Sequence, residues 1–144
     1  MIGIDTNVLV RYILNDDPVW SPPAQRFIDE DCTVEHPGYV NLVVLAELIW
    51  VLSRAPGSDK DKICAVIGDL LLADNIVLER PLLVSGALEA FKNGNANFAD
   101  FIIAAINQSA DASPTFTIDK DASRQPGFVR LPRNADMSER APRL

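Results

Sequence analysis

Short apolar runs alternate along the chain with longer stretches in which apolar positions recur at helical spacing. Met1 to Ile4 is one such run and stops at Asp5; Asn7 to Leu14 then reads as a helix, broken by Asp16, Asp17 and Pro18. Pro22 and Pro23 open a second helix that the pattern carries to about Glu30, since proline is tolerated in a first turn. Pro37-Gly38 signals a turn, Tyr39 and Val40 a short strand, and Asn41 the N-cap of a helix reaching Ser53. Pro56-Gly57 ends that unit. Asp59 starts a helix to about Ala73, Ile76 to Leu78 reads as a strand, and Pro81 opens a helix to about Lys92. After the turn Asn93-Gly94-Asn95, a helix runs from Asn97 or Phe98 to about Ser109. Thr115 to Ile118 and Phe128 to Leu131 read as the last two strands. Short apolar strands alternating with helices predict an α/β fold around a parallel sheet, whose ligands bind beyond the carboxyl ends of the strands. Asp5 and Asp119 each fall directly after a predicted strand.

Composition narrows the class. A chain of 144 residues, 48% hydrophobic, has the size and apolar content of one globular domain. The apolar start lacks a basic leader region, and the longest apolar stretch, Leu42 to Leu52, is interrupted by Glu47. Neither a signal peptide nor a membrane span is expected. Cys32 and Cys64 are far apart without metal-ligand spacing and are read as reduced thiols of a cytoplasmic protein.

Thirteen basic against 20 acidic residues give a net charge of −7, which argues against nucleic-acid binding through a broad basic face. The charge is uneven, however. From Ala122 onward five arginines outweigh Asp136 and Glu139 for a net +3, leaving −10 on the first 121 residues. The placement of those acids therefore matters more than their number.

Four of them sit oddly. The helix from Leu42 to Leu52 is apolar all round except for Glu47, so it reads as buried, with its carboxylate in a buried ion pair, a small exposed window or a cation-holding cleft. Asp100 is the one charge amid Phe98, Phe101, Ile102 and Ile103, and it can equally close a capping box with Asn97. Asp5 and Asp119 can each be an N-cap or Asx-turn residue. Four such placements together would repel unless a divalent cation lay among them, and hard carboxylate oxygens suit Mg²⁺ or Mn²⁺.

Other chemistries are poorly supplied. His36 is the single histidine, beside Pro37, and reads as a turn residue; Gly94 has no partners for a phosphate-cradling loop. Asp16 and Asp17 read as solvated loop acids. Trp20, Phe27 and Trp50 read as core or partner surface, because nothing basic is interleaved with them as a base-stacking platform requires. Trp20, Phe27, Leu82 and Leu83 exceed what the short helices can bury, which suits an interface.

Four segments together resemble a PIN-domain protein: Ile2-Gly3-Ile4-Asp5-Thr6-Asn7-Val8-Leu9-Val10, Leu45-Ala46-Glu47-Leu48, Asn97-Phe98-Ala99-Asp100-Phe101-Ile102-Ile103-Ala104-Ala105, and Thr115-Phe116-Thr117-Ile118-Asp119. Their order and spacing are most similar to the VapC-type ribonuclease toxins of type II toxin–antitoxin systems. The resemblance runs from Met1 to about Leu131, which implies a single domain over 1–131 with a polar tail over 132–144. It implies a three-layer fold with a central parallel sheet of four or five short strands flanked by helices.

It further implies a Mg²⁺- or Mn²⁺-dependent endoribonuclease, with Asp5, Glu47, Asp100 and Asp119 matching the family's acidic positions and Asn7 and Thr117 matching polar positions that orient them. Asp5 and Asp100 would hold the main ion, while Glu47 and Asp119 would hold a second ion or orient the attacking water. Arg11, Lys92, Lys120 and Arg124 are candidate RNA phosphate contacts. The sequence departs from the family pattern at Asn97, where some relatives carry a further acid, and Asp121 is a second candidate for the last acidic position. Implied partners are an RNA substrate, a cognate small antitoxin and a second copy of the chain. Two rival classes are a catalytically silent PIN-like protein-binding module and a metal-dependent phosphohydrolase, the latter lacking a second acid two residues after Asp5 and a partnered Lys.

Overall fold

The structure, a computed structural model, describes residues 1–133. Ile2–Gly3 forms β1, which ends because Asp5 turns to cap the helix α1, Thr6–Leu14: its Oδ1 accepts the Thr6 N–H at 2.8 Å. The helix α2 covers only Ser21–Arg26, with prolines in its first turn, and the chain then widens into a π-helical turn over Phe27–Asp31. Gly38–Val40 is β2, and Asn41 caps α3, Leu42–Ser53, by accepting from Val44 N–H at 2.8 Å. Asp59 caps α4, Lys60–Leu72, in the same way. Then come β3, Ile76–Leu78, α5, Pro81–Asn93, and α6, Phe98–Ser109. Finally β4, Thr115–Thr117, a 3₁₀ turn at Ala122–Arg124 and β5, Phe128–Arg130, close the described chain.

All strand pairings are parallel, as the alternation of elements predicted, but they form two sheets rather than one of four or five strands. β1, β2 and β3 pair in that order, and β4 pairs with β5. Two residues of β1, cut short by the Asp5 cap, leave too few backbone groups to sustain a ladder on both edges. Gly38, expected within a turn, is instead the first residue of β2. Glycine is the easy fit there, since a Cβ would displace Ile4 Cδ1 and press on Cys32 Sγ and Ile76 Cδ1, both at 3.1 Å. Glu79 pins the start of α3, its Oε1 accepting the Leu42 N–H at 2.8 Å.

The core runs from the sheet β1–β3 through α3, α4, α5 and α6, with Leu48, Ile67, Val84 and Phe98 fully enclosed. Phe91 stands edge-on to Phe98 and Phe101, with centroids 5.7 and 6.2 Å away, and this joins α5 to α6. Helix α3 packs against both α1 and α6 and so links the two helices that start at Asp5 and near Asp100. Both cysteines are free thiols, Cys32 buried and Cys64 half-buried. Among the described residues no helix is long and apolar enough to cross a membrane. Of the expected tail at 132–144, only residues 132 and 133 lie within the described part.

Candidate active site

Each aspartate singled out in the sequence performs a local structural task with one oxygen. Asp5 caps α1 through Oδ1, Asp100 accepts the Asn97 N–H through Oδ2 at 3.1 Å, and Asp119 accepts the Ala122 N–H through Oδ1 at 2.7 Å. The choice between cap and functional carboxylate is thus a false one. A carboxylate offers about four lone-pair sites, so a cap fixes its orientation and still leaves an oxygen to act elsewhere. Thr117 adds to this at the last position: its Oγ1 accepts the Asp119 N–H at 3.0 Å and holds the turn after β4.

Asp100 and Asp119 come together across the gap between α6 and β4. Burial raises the Asp100 pKa above the ordinary carboxylate value and the negative charge of Asp119 raises it further, while the Asn97 hydrogen bond pulls it down. Asp121 is not among the groups that shift Asp100, and its side chain caps nothing.

Asp5 opens elsewhere, onto a groove of about 700 Å³ between α1 and α2 that Asn7, Arg11, Asp17, Trp20 and Phe27 also line. Sequence reasoning missed this groove. Its signal was the Arg11…Asp16-Asp17 spacing, because Arg11 pairs with Asp16 at 3.5 Å and approaches Asp17 at 4.0 Å. Asp17 is more than a solvated loop acid: it accepts the Val19 and Trp20 N–H groups, and these bonds lower its pKa. Arg11 is therefore already engaged by two acids, whereas Lys92, Lys120 and Arg124 stand exposed.

Of the alternatives open for Glu47, the structure takes the exposed one rather than the buried ion pair. The residue lies on a stripe of α3 with Val43 and Trp50, and Arg54 lies over the Trp50 ring at 4.0 Å. A helix apolar all round does not disclose which side meets the core, and α3 leaves this side open. Among the described residues no three acidic, histidine or cysteine side chains are grouped closely enough to enclose an ion. The structure brings Asp100 to Asp119 and leaves Asp5 and Glu47 on neighbouring elements.

Compared with known families, the chain matches the PIN domain over residues 2–127. The chain belongs to the PIN domain family. No curated protein and no solved structure matches it. PIN domains are in general metal-dependent nucleases that use Mg²⁺ or Mn²⁺, so membership of the family points to a nuclease-type function and to RNA as the ligand. Its donor set fits such an ion. Magnesium is usually held by one or two carboxylates, with water and substrate phosphate completing the shell, and the Asp100–Asp119 pair offers hard oxygens of that kind.

Proposed function

We propose that this PIN domain is a Mg²⁺- or Mn²⁺-dependent endoribonuclease, and that it is the toxin of a toxin–antitoxin pair silenced by a small antitoxin. The observation that carries the reading is the pair Asp100 and Asp119, two carboxylates each oriented by a backbone cap, with burial and then the charge of Asp119 making Asp100 harder to ionise. That cost is expected where a cation offsets it.

Asp100 and Asp119 would hold the metal directly, and Asp5, which is not grouped with them, would contribute through bound water. When bound, the metal would lower the pKa of a water and neutralise charge on the phosphate. Glu47, exposed on α3, would accept a proton from the attacking water or orient it. Asn7, at the mouth of the Asp5 groove, and Thr117, bonded to the Asp119 backbone, would keep their acids in place. Lys120 and Arg124, exposed on the turn that follows β4, would contact RNA phosphates, with Lys92 as a more distant contact. Arg11 would serve in the same way only by leaving Asp16 and Asp17.

The toxin reading draws on the surface. Trp20 is 65% and Leu82 88% exposed, and Trp20 borders the Asp5 groove, which gives a partner an aromatic anchor beside an acid. A basic side chain of the antitoxin would take the place of the metal at the acids. The exposed stripe Val43, Trp50 and Arg54 suits the contact of a cytoplasmic homodimer.

The test is cleavage of a structured RNA by the purified chain with Mg²⁺ or Mn²⁺. Chelation should abolish the reaction, and undiminished cleavage in excess EDTA would refute the proposal. Expression of the chain alone should arrest growth, with Asp5→Asn relieving the arrest. Harmless expression of folded protein, with no partner recovered from its native lysate, would sink the toxin assignment and leave the nuclease intact.

A further inference from the structure

Helix α6 carries Asp100 in its first turn, and β4 delivers Asp119 just beyond its end. Between them the chain reverses through residues 110–114, and one side chain organises that reversal. Asn107 Nδ2 donates to Thr115 Oγ1 at 3.0 Å, while its main-chain oxygen accepts the Ala110 and Ala112 N–H groups at 3.0 and 2.8 Å. Asn107 lies seven residues after Asp100, two turns along the same face of the helix and about 10 Å away. Thr115 opens β4, Thr117 lies on the same face two residues on, and Asp119 follows in the turn where its N–H donates to Thr117 Oγ1. Closing the helix and the strand at Asn107 and Thr115 brings Asp119 back beside Asp100.

The clamp matters because it ties β4 directly to the helix that carries Asp100. Among the described residues β4 pairs with β5 alone, which follows it in the chain. The buried Ala122 anchors the far side of the turn after Asp119, and Asn107 anchors the near side of the strand. A one-residue slip of β4 against α6 would move Asp119 by about 3.3 Å and turn it to the opposite face.

We propose that Asn107, acting through Thr115, is a positioning residue that sets the separation of Asp100 and Asp119. The proposal rests on the metal-dependent nuclease reading for its purpose, but its geometry can be tested alone. Thr115→Val removes the acceptor while keeping size and β-propensity, Asn107→Ala removes the donor, and Thr115→Ser keeps the bond. In the full chain, amide hydrogen exchange over β4 should rise about tenfold in the first two variants and stay near wild type in Thr115→Ser, with α3 amides unchanged. Mn²⁺ binding measured by calorimetry should weaken about tenfold in the same two, and kcat should fall about tenfold at unchanged KM. Unchanged exchange over β4 overturns the proposal. Faster exchange with wild-type Mn²⁺ affinity also overturns it, because the contact then serves stability alone. If the wild-type chain itself binds no Mn²⁺, the nuclease reading falls, and hydrogen exchange alone decides whether Asn107 holds the strand.

Discussion

In the sheet β1–β3, Val40, Ile76 and Leu78 are buried, and Ile4 is enclosed just beyond β1. In and after β4 and β5 the pattern reverses: Phe116 is 46% and Ile118 78% exposed, with Val129 and Leu131 also open, while Thr115, Thr117 and Asp119 alternate with them on the other face. Both sheets are parallel ladders, but the first is a core and the second a bracket. The first supplies stability through apolar burial. The second offers the Thr115 hydroxyl to the Asp100 helix and reaches the core through Phe128, beside the buried Ala122. Stability and site geometry are therefore lodged in different regions and should respond to different substitutions.

Leu48→Ala, in the enclosed core, should remove about 3–4 kcal/mol of stability and take all activity with it through loss of fold. Chemical denaturation followed by circular dichroism measures this, and a loss below 1 kcal/mol would put the core elsewhere. Asp119→Asn should do the opposite, lowering RNA cleavage by roughly 100-fold or more while the denaturation midpoint hardly moves. A variant that unfolds instead would show that the bracket is part of the core. Thr117→Val removes the acceptor of the Asp119 N–H and should reduce cleavage by roughly fivefold, the worth of about one hydrogen bond.

The smallest effect concerns Asp100. Its raised pKa means that the native state holds the Asp100 proton more tightly than the unfolded chain does, so ionisation weighs against the metal-free fold at neutral pH. That burden fades as pH falls through the raised native value and is gone below the ordinary value of 3.8. Asp100→Asn should therefore raise the melting temperature of the metal-free protein by about 1–2 °C at pH 7, a modest gain because solvent screens this half-buried group. No gain should remain at pH 3. Calorimetry at the two pH values checks both, and an equal gain at pH 3 would assign it to something other than charge.

Much of this was legible in the sequence because the chain punctuates itself locally. Asn41, Asp59 and Pro81 mark helix starts chemically, and α3 and β3 fall on the expected residues. Helix α2 ran shorter than its pattern, since the π-helical turn at Phe27–Asp31 keeps helical spacing approximately while changing the hydrogen bonds. The failures were matters of distant packing. Nothing in Leu42 to Leu52 tells which side of an all-apolar helix meets solvent, so the choice between an enclosed and an exposed Glu47 stayed open. Whether β1 and β4 share a ladder depends on two residues of backbone, below what any side-chain pattern encodes. The Asp100 site was readable in its residue types, but the Asn107–Thr115 contact was not, because an asparagine late in a helix announces no partner.

The two tryptophans give this molecule an optical property that follows from where its helices leave them. Trp20 borders the groove that Asp5 opens onto, and Trp50, 57% exposed beneath the Arg54 guanidinium, shares a stripe with Glu47. Both indoles therefore emit from water in the free protein, each beside a different acid. A binder that covers either one should shift its emission to the blue, and single Trp→Phe variants would show which acid lies beneath it.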